Sequence, residues 1–182
     1  MAKLILRLAL LAVALLGASG AGQAQVERAS EVQVKAAYLY QFGGFVEWPP
    51  QAFAGPDGAF AIGLIGAEAM AAELEQIVAT RQVQGRQVVV RRLRPGEPLG
   101  GLQVLFVGGA EDERLPEILS AARGAPLLVV TESEGALARG SMINFVAVDN
   151  RVRFDVALPQ AERSRLRISS RLLGVARRVV QG

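Results

Sequence analysis

The sequence contains no histidine and no cysteine, and its only lysines are Lys3 and Lys35. Without histidine there is no serine–histidine triad, no histidine-ligated zinc and no imidazole acid or base. Without cysteine there are no thiol nucleophiles, thiolate metal sites or disulfides. We therefore predict a protein that is not an enzyme and holds no metal or other cofactor. Catalysis by carboxylates alone is the remaining enzymatic alternative.

Aromatic residues are scarce, and half of the ten occur between Lys35 and Pro50. Val34, Tyr38, Phe42 and Phe45 recur at steps of four, four and three, which predicts one ring-bearing face of a helix. The helix is expected to begin near Ser30, as its cap, and to end near Phe45, before Trp48-Pro49-Pro50. Its face packs either on the core of the domain or on a partner protein.

The amino terminus has the pattern of a secretory signal peptide over residues 1–24. Lys3 and Arg7 precede an apolar run from Leu8 to Leu16, and small residues follow up to Ala24. The apolar run is short for a membrane span, although an uncleaved anchor is the alternative. Cleavage near Ala24 removes two positive charges and lowers the formal charge from +3 to +1. We expect an exported protein with no basic face for nucleic acid.

The rest of the chain, residues 25–182, is predicted to form a single domain. Strand patterns at 59–66, 82–93, 102–107 and 126–131 alternate with helix patterns at 67–80 and 112–123. A hairpin at 142–157 turns at Asp149-Asn150, and an apolar helical stripe continues to Val180 after a cap at Ser169. These patterns predict a three-layer α/β sandwich with a mixed, largely parallel sheet of about six strands, then a C-terminal hairpin and helix.

Two further patterns have both a functional and a structural interpretation. Gly63-Leu-Ile-Gly66 lies between a strand and a helix, as in nucleotide-binding folds, but lacks the G-x-G-x-x-G spacing. Helix–strand packing explains its glycines equally well. Polar side chains of the last third could line a pocket for an anion or small ligand; alternatively the arginines face solvent and the serines cap the helix. The candidate ligand residues are Asn144, Arg153, Ser169 and Arg171.

Four motifs in order resemble the YfiR family of periplasmic regulators. The first is the stretch from Lys35 to Pro49, and the second is Ile62-Gly-Leu-Ile-Gly66 with Gly85-Arg-Gln-Val88. The others are Gly140-Ser-Met-Ile-Asn-Phe145 with Arg151-Val-Arg-Phe154, and 166–173. The resemblance covers roughly residues 34–176. Ser141 and Ala157 depart from the glycine and asparagine expected there, and the missing cysteines argue against the redox control available to family members with disulfides.

The resemblance implies a non-enzymatic periplasmic regulator, often dimeric, with an α/β fold. Its best-known members bind the periplasmic part of an inner-membrane diguanylate cyclase and repress it, which lowers cyclic di-GMP and biofilm formation. For such a repressor, the candidate partner-binding residues are Tyr38, Phe42, Phe45 and Trp48. The alternative function is a periplasmic small-metabolite sensor that serves another membrane signalling protein.

Overall fold

The computed structural model describes residues 18–53, 55 and 58–181, with side chains from residue 29 onward. The helices are α1 Ala18–Phe45, α2 Glu68–Val78, α3 Leu115–Ala122, α4 Ala136–Arg139, α5 Leu158–Arg163 and α6 Ser170–Val175. The strands are β1 Val46–Glu47, β2 Phe60–Ile65, β3 Gln82–Val83, β4 Arg86–Leu93, β5 Val104–Val107, β6 Leu128–Thr131, β7 Ile143–Val148, β8 Arg151–Ala157, β9 Arg167–Ile168 and β10 Arg178–Val180. Two 3₁₀ helices span Pro50–Ala52 and Gly109–Arg114.

The main sheet is mixed and mostly parallel, as predicted. Its strand order is β10-β8-β7-β6-β5-β2-β4-β3, and only the β3–β4 and β7–β8 pairs are antiparallel. It has eight strands where the sequence predicted about six, since β3 and β10 each add one. A separate two-stranded sheet pairs β1 with β9.

Side chains on the two faces of the sheet form two hydrophobic clusters. The larger cluster joins α1, α2 and α6 to one face through Phe42, Leu74 and Leu172. The smaller cluster packs α3 on the opposite face through Leu115 and Ile118. Because Phe145 belongs to the first cluster, Asn144 beside it projects to the other face. The three-layer α/β prediction is confirmed.

The turns of both antiparallel pairs follow from their residues. Asp149 and Asn150 have φ values of 48° and 57°, the left-handed conformation that a two-residue hairpin loop requires. Gln84 and Gly85 turn in the same way, at 52° and 76°, between β3 and β4. The predicted strand at 82–93 is therefore a small hairpin and not one continuous strand.

The aromatic helix is longer at its start than the sequence predicted. Helix α1 runs from Ala18 to Phe45, so Ser30 lies inside it and the cap prediction at Ser30 is wrong. Its predicted end at Phe45 is confirmed. The proposed signal cleavage near Ala24 falls within this helix, and the rest of the signal pattern, residues 1–17, lies outside the described residues.

The last segment is also different from its prediction. Ser169 caps α6, its side-chain oxygen accepting from the Leu172 amide at 3.3 Å, as expected. The helix then ends at Val175, and 178–180 form β10 parallel to β8. The predicted helical stripe to Val180 is therefore wrong. A long-range ion pair with Asp155 and the strand preference of Val179 and Val180 stabilise the extended conformation instead.

Candidate functional site

The predicted ring face of α1 lies mostly in the hydrophobic core. Phe42 is 0% exposed, and its ring centroid lies 5.8 Å from that of Phe145 and 5.2 Å from that of Phe154. Tyr38 is half-buried and stacks on Phe42 at 5.9 Å. Val34, one turn earlier, is 39% exposed, so the apolar face emerges from the core towards the helix start.

Trp48 and Phe45 are half-buried beside the end of α1. The Trp48 ring meets Phe60 edge to face at 5.1 Å, and its Nε1 donates to the Gln103 carbonyl at 3.3 Å. Gln103 is itself buried, with Nε2 donating to the Ala52 carbonyl and Oε1 accepting from the Ala61 amide. Of the four candidate partner residues, Phe42 is thus enclosed, whereas Tyr38, Phe45 and Trp48 retain accessible edges.

The four candidate ligand residues lie on two sides of the sheet. Asn144 and Arg153 project from β7 and β8 on the face opposite α1. Ser169 and Arg171 lie on the α1 side, where the Ser169 amide donates to the Phe45 carbonyl at 2.9 Å. Asn144 is 6% exposed, while Arg153 and Arg171 are exposed. The structure therefore does not bring the four together around one pocket.

The first strand–helix junction is closed to a nucleotide. In a doubly wound sheet, ligands bind where the strand order reverses, here between the carboxyl ends of β2 and β5. At Gly108 an added Cβ would lie 2.3 Å from the Gly66 carbonyl oxygen. At Gly66 it would lie 2.5 Å from the Glu111 side chain. Close backbone packing therefore explains these glycines, and Glu111 covers the junction.

An open cleft lies two strands further along the same edge of the sheet, where the pairing of β6 and β7 ends, and we call it the β7 cleft. It has a volume of about 520 Å³. Its lining residues are Glu31, Lys35, Gly109, Glu132, Ser133, Glu134, Asn144, Phe145, Val146 and Ala147. The cleft forms because pairing of β6 with β7 stops at Thr131–Asn144, while β7 continues to Val148. The β6-facing side of the last part of β7 therefore has no neighbouring strand among the described residues.

An ion pair joins α1 to the loop after β6 at the floor of the β7 cleft. Lys35 Nζ lies 2.7 Å from Glu132 Oε2 and also contacts Glu31 Oε1. The other oxygen of Glu132 accepts from the Gly109 amide at 2.8 Å. The Lys35 side chain is only 12% exposed. Lys35 therefore ties α1 to the loop after β6, and Glu132 extends the connection to Gly109.

The charges in the β7 cleft are predominantly negative. Burial lowers the pKa of Lys35, but the hydrogen bonds that its ammonium donates to Glu132 and Glu31 outweigh this effect, so the pKa lies above its ordinary value and the ammonium is retained. Glu31, Glu132 and Glu134 against Lys35 leave an excess of two negative charges. The Asn144 side-chain oxygen Oδ1 accepts from Thr131 Oγ1 at 2.6 Å, and Asn144 is among the residues that line the cleft.

Sequence reasoning identified Lys35 and Asn144 separately but did not connect them. Glu132 was not singled out, because its partner lies 97 residues earlier in the chain. The Asp155 pair with Arg177 and Arg178 was missed for the same reason. For the Lys35–Glu132 pair, the available signal was a lone lysine on an aromatic helix. For the pair of Asp155 with Arg177 and Arg178, nothing in the local sequence gave a signal.

The described residues hold neither an acidic metal site nor a membrane-spanning helix. Within residues 18–181, apart from the three undescribed loop positions, no cluster of three or more acidic side chains has the geometry to hold a metal ion. Among the same residues, no helix combines the length and apolar character needed to cross a membrane.

Most of the described chain matches the pattern of one protein family. The model of the YfiR/HmsC-like family matches residues 32–177, from the aromatic helix to the start of the last strand. No curated protein is significantly similar to the chain. The match covers well over half of the sequence and includes all four motifs noted above. The protein belongs to the YfiR/HmsC-like family.

Proposed function

We propose that the protein binds the periplasmic part of an inner-membrane diguanylate cyclase and represses it, thereby lowering cyclic di-GMP and biofilm formation. Its family supports a regulatory role in the periplasm in general terms. The family match over residues 32–177 is the observation that carries the proposal. The alternative partner, for a regulator of the same class, is another membrane sensor protein.

The contact surface is proposed to include the accessible ring edges of Tyr38, Phe45 and Trp48. Aromatic side chains with an apolar body and a polar tip are common anchors in protein interfaces. Phe42 is excluded from direct contact by its burial. In alanine variants of the three accessible rings, the free energy of partner binding should fall by more than the free energy of unfolding.

The function is tested first in cells of the source organism, by measuring cyclic di-GMP with and without the gene. Deletion should raise cyclic di-GMP, and only a copy with its export signal should restore the original level. An unchanged level in the deletion strain contradicts repression of a cyclase. Sedimentation of the purified mature protein, alone and with the periplasmic part of a candidate cyclase, tests both the complex and the homodimer expected from the family.

A second candidate function is a sensor for a small metabolite. The observation that favours it is the β7 cleft, whose lining residues include Asn144, Lys35 and Glu132. A ligand of the folded state raises the melting temperature by mass action. A thermal-shift screen of periplasmic metabolites tests this function, and a hit should be lost in Asn144→Leu. The absence of any shift in the wild-type protein would count against it.

A further inference from the structure

The free side of β7 offers backbone hydrogen-bonding groups to an incoming chain. A two-residue turn at Asp149-Asn150 requires Val148 and Arg151 to exchange backbone hydrogen bonds. Successive residues alternate in direction, so the backbone groups of the exposed residue Ala147 point away from β8, to the side where β6 has ended. Phe154 is paired with Phe145, and its carbonyl points away from β7 and accepts from the Arg177 amide at 2.8 Å, as this alternation predicts.

The surroundings of this edge select the chemistry of an occupant. An extended peptide can add to a free strand edge through main-chain hydrogen bonds, and the adjacent side chains then provide specificity. Here the edge is the wall of the β7 cleft, and the cleft has two excess negative charges. Glu134 is exposed and makes no ion pair with the described residues. Asn144, 6% exposed, is among the residues that line the cleft.

We propose that the β7 cleft binds an extended, basic segment of a partner protein, which adds as a short strand beside Val146–Val148 with a cationic side chain near Glu134. The inference rests on the proposed function, because it names a contact surface for the regulated protein. This surface differs from the aromatic surface near Trp48 and from a metabolite pocket, because the partner would be recognised mainly through hydrogen bonds to the backbone of β7.

The test uses the purified mature protein and a fluorescent, end-blocked peptide of alternating valine and arginine. Wild-type protein should bind it, and added salt should weaken binding because the charges are exposed. A peptide with glutamate in place of arginine should not bind. Methylation of alternate peptide nitrogens removes main-chain donors without altering the protein, and should weaken binding about two- to tenfold.

Two protein variants locate the peptide in the β7 cleft. Ala147→Pro removes one outward amide at an exposed position, where a strand tolerates proline, and should weaken binding about two- to tenfold. Glu134→Gln should weaken it about two- to fivefold, whereas Glu113→Gln, an exposed glutamate outside the cleft, should leave it unchanged. Circular dichroism checks that each variant is folded.

Several results would overturn the inference. They are no binding of the basic peptide, equal binding of the methylated peptide, or equal effects of Glu134→Gln and Glu113→Gln. Free arginine binding as tightly as the peptide would instead indicate a metabolite pocket. If deletion of the gene raises cyclic di-GMP but Ala147→Pro represses normally in cells, the proposed function stands and this surface is wrong. If the peptide binds but deletion of the gene leaves cyclic di-GMP unchanged, the binding surface stands and the proposed repression of a cyclase is wrong.

Discussion

Lys35 shows how a single residue can tie distant parts of this chain together. Its ammonium lies between Glu31 on the same helix and Glu132 in the loop after β6. Glu132 in turn accepts from the Gly109 amide after β5. A carboxylate that loses its cationic partner in a partly buried position loses much of its stabilisation. The local arrangement of α1 and two loops therefore depends on one charge.

Replacement of Lys35 by methionine should destabilise the protein by about 1–2 kcal/mol, because Glu132 then retains only the Gly109 amide as a partner. Urea unfolding measures the change. Arg94→Met, at an exposed position with no ion pair among the described residues, is the control and should change stability by less than about 0.5 kcal/mol. Equal effects of the two variants would show that the Lys35 pair contributes nothing.

The same pair predicts a pH dependence. The folded-state pKa of Lys35 lies above its ordinary value of 10.5. The stability it contributes is therefore fully present below pH 10.5 and is lost as the pH rises through the folded-state pKa. Wild-type protein should lose more stability than Lys35→Met between neutral pH and this alkaline range. If urea unfolding shows that both proteins lose the same amount of stability across that pH range, the prediction is contradicted.

Gly108 is required by space and not by backbone conformation. A Cβ there would lie 2.3 Å from the Gly66 carbonyl oxygen, which is backbone and cannot rotate away. Gly108→Ala should cost about 1–3 kcal/mol of stability. Gly100→Ala, where a Cβ meets nothing within 4 Å, should be near neutral by the same thermal or urea unfolding measurement.

At the level of secondary-structure elements, the periodic patterns predicted most helices and strands, and long-range contacts decided where some of them begin and end. The ring spacing of α1 correctly predicted a helix ending at Phe45. The apolar spacing of the final segment favoured a helix up to Val180, yet β10 forms there. Short segments of this kind have weak intrinsic preferences, so a partner strand with a buried carboxylate determines their conformation.

The core role of α1 is tested at Phe42. Phe42→Ala removes a fully buried ring that contacts Tyr38, Phe145 and Phe154, and should cost about 3–5 kcal/mol. Val34→Ala, on the exposed part of the same face, should cost far less. Chemical denaturation of both variants makes the comparison. A loss of partner binding in Phe42→Ala is then interpreted as unfolding and not as a lost contact.

The attachment of β10 is tested through its ion pair. Asp155 is 2% exposed and receives hydrogen bonds from the Arg177 guanidinium, one of them at 2.7 Å; Arg178 lies 3.1 Å away. Arg177→Ala should speed amide hydrogen exchange in β10 and lower the urea midpoint. Arg171→Ala, an exposed arginine on α6, should do neither. Unchanged exchange in Arg177→Ala would mean that backbone pairing alone holds the strand.

At the level of the whole molecule, the chain is expected to work outside the cytoplasm. The general periplasmic regulatory role follows from the family, whereas cleavage of residues 1–24 is a prediction from the sequence. Intact mass spectrometry of the exported protein should find Gln25 as its first residue. A mass that corresponds to the complete chain would instead indicate the uncleaved anchor.

The fold class was predictable because parallel α/β architecture is encoded in local patterns. Apolar strand runs such as Phe60–Ile65 alternate with amphipathic helices, and the Asp149-Asn150 turn predicted its hairpin correctly. The candidate site was predictable only in part. Asn144 and Lys35 stood out by residue type, but the predicted grouping of Asn144 with Ser169 and Arg171 did not account for a sheet lying between them.

The sequence by itself determined the family, the absence of histidine and cysteine chemistry, and the order of most helices and strands. These properties depend on residue identity and on short-range periodicity. Tertiary structure alone decided that Phe42 is enclosed, that β10 pairs with β8, and that the end of β6 leaves part of β7 free beside Lys35 and Glu132. Each of those outcomes depends on contacts between residues far apart in the chain, and local propensity carries no information about such contacts.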